Sequence, residues 1–204
     1  TSIYMLSRVI PMLPRELSNG ICSLNAGEDR FTLSCSMEIN PEGKIVSAEV
    51  YKAVINVKER MNYHDVQAIL DKSDKEVLQK YEKYIPDFEL MAELATILKN
   101  RRLNQGYLNL DIPESKIDLD KQGRAINVGK YETSFSNEII EHFMLSANEA
   151  IAEKFYWLDA PFIYRVHEDP DLDKVKDLNK FLYNFGLRIK ITNGKVYPTE
   201  VSKI

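Results

Sequence analysis

The stretch RVIPMLPRELSNGICSLNAGEDRFTLSCSMEI, residues 8–39, contains the pattern on which the fold assignment depends. Its first half is rigid and apolar, because Pro11 and Pro14 frame Met12 and Leu13. In its second half, residues 31–39, apolar and polar side chains alternate as they do along a β-strand. Chain ends are usually frayed and polar. This segment instead has the composition of the interior of a domain.

A second strand is predicted directly after the first. Residues 40–43 read NPEG and supply turn chemistry between the two. Residues 45–57 are rich in Val, Ile and Tyr, which strands favour. The two segments are therefore expected to form a β-hairpin with a short loop.

The remaining chain alternates between helical and extended patterns. Helical spacing of apolar residues predicts helices at 63–70, 75–84, 87–103, 136–158 and 171–185. Pro86 separates two of them, Ser136 is the predicted N-cap of the longest, and Gly106 and Gly186 end two others. Short strands are predicted at 107–110, 116–119, 125–128, 162–166 and 187–192. These elements predict an α+β fold of mainly antiparallel strands with packed helices.

Length and composition predict a single globular domain over residues 1–204. The chain has 204 residues, of which 44% are hydrophobic and 28% charged, the balance of a protein with a packed core. The sequence contains no apolar run long enough for a membrane span and no secretory leader, so no membrane partner and a cytoplasmic location are expected. Cys22 and Cys35 lack CxxC spacing and are expected to be two buried thiols.

Charge and local motifs leave the function open. The net charge of −4 argues mildly against a nucleic-acid partner, although nucleic-acid binding depends on the local charge of a surface and not on the net charge. The acidic run at 168–173 does not fit a calcium loop, because Lys174 and Lys180 stand where Gly and Glu are required. It is expected to cap a helix. The three histidines lack zinc-ligand spacing, and no nucleophile elbow or phosphate-binding glycine loop occurs.

Five blocks of sequence resemble the catalytic domain of the ribonuclease II / ribonuclease R family of 3′-to-5′ exoribonucleases. They are the stretch quoted above, RMNYHDVQAIL (60–70), GYLNLDIPESKI (106–117), IIEHFMLSANE (139–149) and FIYRVHEDP (162–170). The blocks follow the family's order and cover nearly the whole chain. Their run of matches is fuller toward the ribonuclease R branch than toward ribonuclease II.

The resemblance implies part of an enzyme that hydrolyses RNA processively from a single-stranded 3′ end to nucleoside 5′-monophosphates, with Mg²⁺. In the family, the metal-binding aspartates precede the proline-framed segment and an Arg-rich segment follows the last block. Neither occurs in residues 1–204, so the chain is expected to be a partial catalytic domain without catalytic or metal-binding residues. It is expected to be inactive alone and to self-associate through exposed strand edges. The alternative is a non-catalytic RNA-binding or scaffolding module of the same fold.

The resemblance also implies RNA-binding residues. Tyr4 matches an aromatic residue that stacks on bases near the 3′ end, although Met5-Leu6-Ser7 replaces the family's Phe-Pro-Asp. Tyr63 and Glu141 match positions that recognise ribose, whose 2′-hydroxyl distinguishes RNA from DNA. By spacing alone, Tyr63 would be an ordinary residue at a helix start and Glu141 a solvated surface acid.

Three weaker assignments complete the expected RNA contacts. Leu110 stands where the family usually has a phenylalanine that forms the other side of the base clamp. Because leucine cannot stack, either the clamp is weaker here or Tyr107 compensates. Arg165 and His167, in YRVHE, are candidates for the RNA channel, with structural roles equally open.

Overall fold

The fold is α+β, as the sequence predicts, and the described residues form four two-stranded sheets of consecutive strands. A computed structural model describes residues 2–6, 8–108, 112 and 115–204 of the chain. The strand pairs are β1 (Ile3–Tyr4) with β2 (Val9–Ile10), β3 (Asp29–Ile39) with β4 (Ile45–Asn56), β5 (Ser115–Leu119) with β6 (Ala125–Lys130), and β7 (Ile191–Thr192) with β8 (Lys195–Val196). The predicted central hairpin, β3 with β4, is thus confirmed.

The described residues form six α-helices. They are α1 (Tyr63–Asp71), α2 (Lys75–Lys80), α3 (Ile85–Asn104), α4 (Phe135–Trp157), α5 (Leu172–Leu182) and α6 (Pro198–Val201). The side chains of Asn62, Asp74 and Asp171 accept hydrogen bonds from backbone N–H groups in the first turns of α1, α2 and α5. The prediction that the acidic run caps a helix is therefore confirmed. Among the described residues, no helix has the length and apolar character needed to cross a membrane.

The chain divides into two compact units, each with its own core. Unit 1 comprises Thr1–Ser36, Glu49–Leu90 and Asp111–Ile140, and unit 2 comprises Met37–Ala48, Met91–Leu110 and Glu141–Ile204. The buried apolar residues of unit 1 include Val66, Ala68, Ile69, Tyr81 and Ile139. Those of unit 2 include Ala95, Leu98, Ala150, Val175 and Ile189. The single partial domain over residues 1–204 stays a prediction.

Ser136 is not the N-cap of α4. The helix begins at Phe135, and Ser136 is a buried residue of its first turn. At the helix start, the Asn137 side chain accepts hydrogen bonds from the backbone N–H and the hydroxyl of Ser134. A serine also stands directly before the helix, at position 134, and the helical periodicity does not distinguish the two positions.

Three predicted strands are absent, shorter than expected or irregular where the structure describes them. Residues 162–166 form no strand and are exposed, although their apolar run is strand-like. An apolar run needs a neighbouring strand to complete its backbone hydrogen bonds, and periodicity does not supply one. Within the predicted strand at 187–192, only Ile191–Thr192 is a strand. In the predicted strand at 107–110, Tyr107 and Leu108 have no regular secondary structure. Cys22 is exposed and Cys35 half-buried, which corrects the expectation of two buried thiols.

Candidate RNA-binding residues

Tyr4 projects from a small antiparallel hairpin in unit 1. It pairs with Val9, and the backbone N–H of Met5 closes the connection by donating to the Arg8 carbonyl at 2.9 Å. The Tyr4 side chain is 80% exposed. A ring presented in this way has both the area and the access to stack on a base.

Tyr63 opens α1, and its backbone is fixed from both sides. The Asn62 side chain caps the helix by accepting from the backbone N–H of Asp65 at 2.9 Å. The Ser136 hydroxyl donates to the Tyr63 carbonyl oxygen at 2.8 Å, and the backbone N–H of Ser136 donates to Gln67 Oε1 at 3.0 Å. The Tyr63 side chain is exposed. Its backbone is therefore anchored while its side chain is accessible to solvent.

The first turn of α1 also carries a stable negative charge. A side-chain hydrogen bond from Asn62 is the largest of the effects that lower the pKa of Asp65 below its usual value. An ionised carboxylate in the first turn interacts favourably with the positive end of the helix dipole. The charge thus stabilises the helix start that presents Tyr63.

Glu141 is not the solvated surface acid that its spacing suggests. It lies half-buried on α4 in unit 2, and its Oε1 accepts a hydrogen bond from the Tyr107 hydroxyl at 2.9 Å. The Tyr107 ring makes an edge-to-face contact with His142, with centroids 6.3 Å apart and planes at 65°. His142 itself is buried. The carboxylate is therefore held from one side by a phenol.

Gly106 determines where Tyr107 lies. Its φ of +91° is in the left-handed region, and a Cβ at this position would come within 2.4 Å of the Thr199 backbone nitrogen. Glycine alone fits this turn after α3, and the next backbone N–H, that of Tyr107, donates to the Arg102 carbonyl at 2.9 Å. Sequence analysis missed Tyr107 as a partner of Glu141. The two residues are 34 positions apart, so no local pattern marked the pair.

The other predicted contacts are distributed as follows. Arg165 and His167 lie exposed in the irregular segment after α4. In that region the Phe162 ring stacks on Phe155, with centroids 4.8 Å apart, and contacts Tyr164 edge-on. Leu110 lies outside the described residues. Tyr4 and Tyr63 belong to unit 1, whereas Glu141, Arg165 and His167 belong to unit 2.

The described residues do not fit a metal ion. In the part of the chain covered by the structure, no three side chains of His, Cys, Asp or Glu come together as a ligand set.

The family of the chain follows from comparison with known proteins. The model of the RNB domain matches residues 1–202. The chain therefore belongs to the RNB-domain family, and the expected relationship to the ribonuclease II / ribonuclease R exoribonucleases is confirmed.

The chain is similar to proteins named ribonuclease R. The chain is 39% identical over 205 residues to ribonuclease R of Thermotoga maritima, which covers all of this chain and 28% of that protein. It is 39% identical over 196 residues to ribonuclease R 1 of Lactococcus lactis, covering 96% of this chain and 24% of that protein. The chain thus spans about a quarter of the length of these relatives.

Solved structures show the same fold. Mycoplasma genitalium RNase R in complex with ribose-methylated single-stranded RNA superposes with a TM-score of 0.86 at 25% identity, over 99% of this chain and 31% of that chain. Yeast Ssd1, described as a pseudonuclease, superposes with a TM-score of 0.68 at 20% identity, over 100% of this chain and 24% of that chain. At that identity the second likeness concerns the fold alone.

Proposed function

We propose that this chain is part of a 3′-to-5′ exoribonuclease that hydrolyses RNA processively from a single-stranded 3′ end to nucleoside 5′-monophosphates. The observation that carries the proposal is the RNB-domain match over residues 1–202, together with 39% identity to ribonuclease R across the whole chain. The single-stranded RNA bound by the Mycoplasma genitalium relative supports the substrate class. The cytoplasm is the proposed location.

Within that function, the candidate residues make two kinds of contact. Tyr4 stacks on a base near the 3′ end, which is independent of sequence because every base has a π-face. Tyr63 and Glu141 recognise the ribose, since a phenol and a carboxylate can both bond a 2′-hydroxyl. Support for this comes from the exposed ring of Tyr63 and from the carboxylate of Glu141, which Tyr107 holds in place. Arg165 and His167 are proposed as further contacts along the RNA.

The proposed cofactor of the full-length enzyme is Mg²⁺. The resemblance assigns its ligands to aspartates that precede the proline-framed segment in the family, and none of the residues described here is assigned to it. This chain therefore contributes RNA recognition to the proposed enzyme. The catalytic carboxylates come from elsewhere in the longer protein.

A non-catalytic RNA-binding or scaffolding module is the second candidate. It is favoured by one observation, the fold shared with a protein described as a pseudonuclease. The coding sequence next to residue 1 discriminates between the two, because a nuclease requires a cluster of aspartates there and a scaffold does not.

The test is the Glu141→Ala variant of the full-length protein. Affinities for a single-stranded RNA and for DNA of the same sequence are measured by fluorescence anisotropy in EDTA, which prevents hydrolysis. A hydrogen bond to a charged group contributes about 1.5–3 kcal/mol. The ratio of RNA affinity to DNA affinity should therefore fall by roughly tenfold or more. Equal weakening of RNA and DNA binding in a normally folded variant would contradict the assignment of Glu141 to ribose recognition.

A further inference from the structure

We propose that Tyr107 is a specificity-determining residue that positions the Glu141 carboxylate for the ribose 2′-hydroxyl. This inference rests on the proposed function, because it assigns to Tyr107 the orientation of a residue that is itself proposed to read the sugar. Tyr107 does not itself contact the RNA. It acts through Glu141.

The geometry leaves the carboxylate able to bind two partners. The Tyr107 hydroxyl donates to Glu141 Oε1 at 2.9 Å. A carboxylate accepts hydrogen bonds at both of its oxygens. With Oε1 occupied by the phenol, Oε2 is the oxygen that accepts from a 2′-hydroxyl. The phenol thus determines which oxygen is presented and at what angle.

Tyr107 is itself held rigidly enough to position another side chain. Its backbone N–H is bonded to the Arg102 carbonyl at 2.9 Å, and the left-handed turn at Gly106 fixes where its backbone begins. The Arg102 guanidinium, in turn, donates to Glu149 at 2.8 Å. The edge-to-face contact with buried His142 restrains the ring. The backbone and the ring of Tyr107 are therefore both constrained.

The hydrogen bond from Tyr107 to Glu141 affects the binding of RNA and of DNA differently. A free glutamate side chain loses rotamer freedom when it binds a ligand, and ordering it in advance removes part of that cost. DNA has no 2′-hydroxyl to meet the ordered carboxylate. Pre-ordering therefore strengthens RNA binding and leaves DNA binding unchanged, so the Tyr107 hydroxyl raises the preference for RNA.

Tyr107→Phe in the full-length protein tests the inference, because it removes the hydroxyl and retains the ring against His142. The matched control is Tyr183→Phe, which removes the hydroxyl of an 80% exposed tyrosine in the same unit. Anisotropy in EDTA gives affinities for RNA and DNA of one sequence, and thermal melting monitors folding. The ratio of RNA to DNA affinity is expected to fall about threefold or more in Tyr107→Phe and to stay constant in Tyr183→Phe.

The double variant Tyr107→Phe/Glu141→Ala separates positioning from a general structural effect. If Tyr107 acts through Glu141, the double variant has the same affinity for RNA and the same affinity for DNA as Glu141→Ala alone. A structural defect would instead lower RNA and DNA affinity together and add to the effect of Glu141→Ala.

The outcomes distinguish this inference from the proposed function beneath it. If the ratio of RNA affinity to DNA affinity is unchanged in Tyr107→Phe but lower in Glu141→Ala, the inference is overturned and ribose recognition by Glu141 is retained. A higher ratio of RNA affinity to DNA affinity in Tyr107→Phe also overturns the inference, since the phenol would then compete with the sugar for the Glu141 carboxylate. An unchanged ratio in well-folded Glu141→Ala overturns both.

Discussion

The Ser136 hydroxyl donates a 2.8 Å hydrogen bond to the backbone carbonyl of Tyr63, which joins the first turn of α4 to the first residue of α1 within unit 1. Ser136 is 2% exposed. Its backbone N–H also donates to Gln67 of α1, at 3.0 Å. A buried serine thus anchors the helix start that presents a proposed ribose-reading tyrosine.

Ser136→Ala should lower the free energy of unfolding by about 1–3 kcal/mol, because it leaves the Tyr63 carbonyl without its buried donor. Urea denaturation of the chain measures the change. Ser73→Ala, at an exposed serine of the same unit, is the control and should stay within about 0.5 kcal/mol of the parent. Equal stabilities of the two variants would show that the bond contributes nothing net.

Gly106→Ala should destabilise the chain far more than Gly123→Ala. Both glycines have left-handed φ values, +91° and +79°, where an L side chain costs about 1–2 kcal/mol. At Gly123 an added Cβ meets nothing within 4 Å, whereas at Gly106 it overlaps the backbone of Pro198 and Thr199. The overlap should add about 1–3 kcal/mol. Thermal or urea denaturation of the two variants measures the difference in stability. Similar stabilities would contradict the close approach of Gly106 to the backbone of Pro198 and Thr199.

Tyr4→Ala and Tyr63→Phe should affect the full-length protein in different ways. Stacking does not depend on the sugar, so Tyr4→Ala should weaken RNA and DNA binding alike, by about 1–3 kcal/mol. Tyr63→Phe removes one neutral hydrogen-bond donor and should narrow the RNA preference by up to about tenfold. Anisotropy with matched RNA and DNA oligonucleotides measures both. A sugar-dependent loss in Tyr4→Ala would argue against stacking.

The 204-residue chain alone should release no nucleotides from poly(A), even with Mg²⁺. The reason is the resemblance, which places the metal-binding aspartates outside residues 1–204. Acid-soluble nucleotide release is the assay, and the full-length protein under the same conditions is the positive control. Robust Mg²⁺-dependent release by a nuclease-free preparation would show that this chain has a metal site of its own.

The isolated chain should self-associate through the exposed apolar side of β3. Phe31 and Leu33 are 92% and 65% exposed on a strand of a two-stranded sheet, and exposed apolar strands recruit partners. Phe31→Lys should reduce association seen by light scattering over a range of concentrations. Ser36→Lys adds the same charge at an exposed polar position of β3 and should change little. A monomeric parent chain at every concentration would contradict the prediction.

Local sequence patterns predicted the parts of the fold that depend on neighbouring residues. The alternation in residues 31–39 and the NPEG turn predicted the central hairpin. The helical spacing around Val66 and Ile69 predicted α1, and the aspartate at 171 predicted the start of α5. The helix starts depend on residues a few positions apart, and the hairpin depends on a short turn between adjacent strands, so periodicity, turn and capping chemistry were sufficient.

The tertiary structure decided which polar residues have partners and which apolar ones are covered. Tyr107 and Glu141 are 34 positions apart, and Tyr63 and Ser136 are 73 apart, so no local pattern could show either hydrogen bond. The spacing of Glu141 predicted a surface acid, whereas the residue is half-buried. The apolar run at 162–166 predicted a strand, whereas these residues have no regular secondary structure. By itself, therefore, the sequence determined the local elements and, through its motifs, the family. Long-range packing decided the environment of each site residue, because a hydrogen bond or a buried contact requires atoms that only the folded chain brings together.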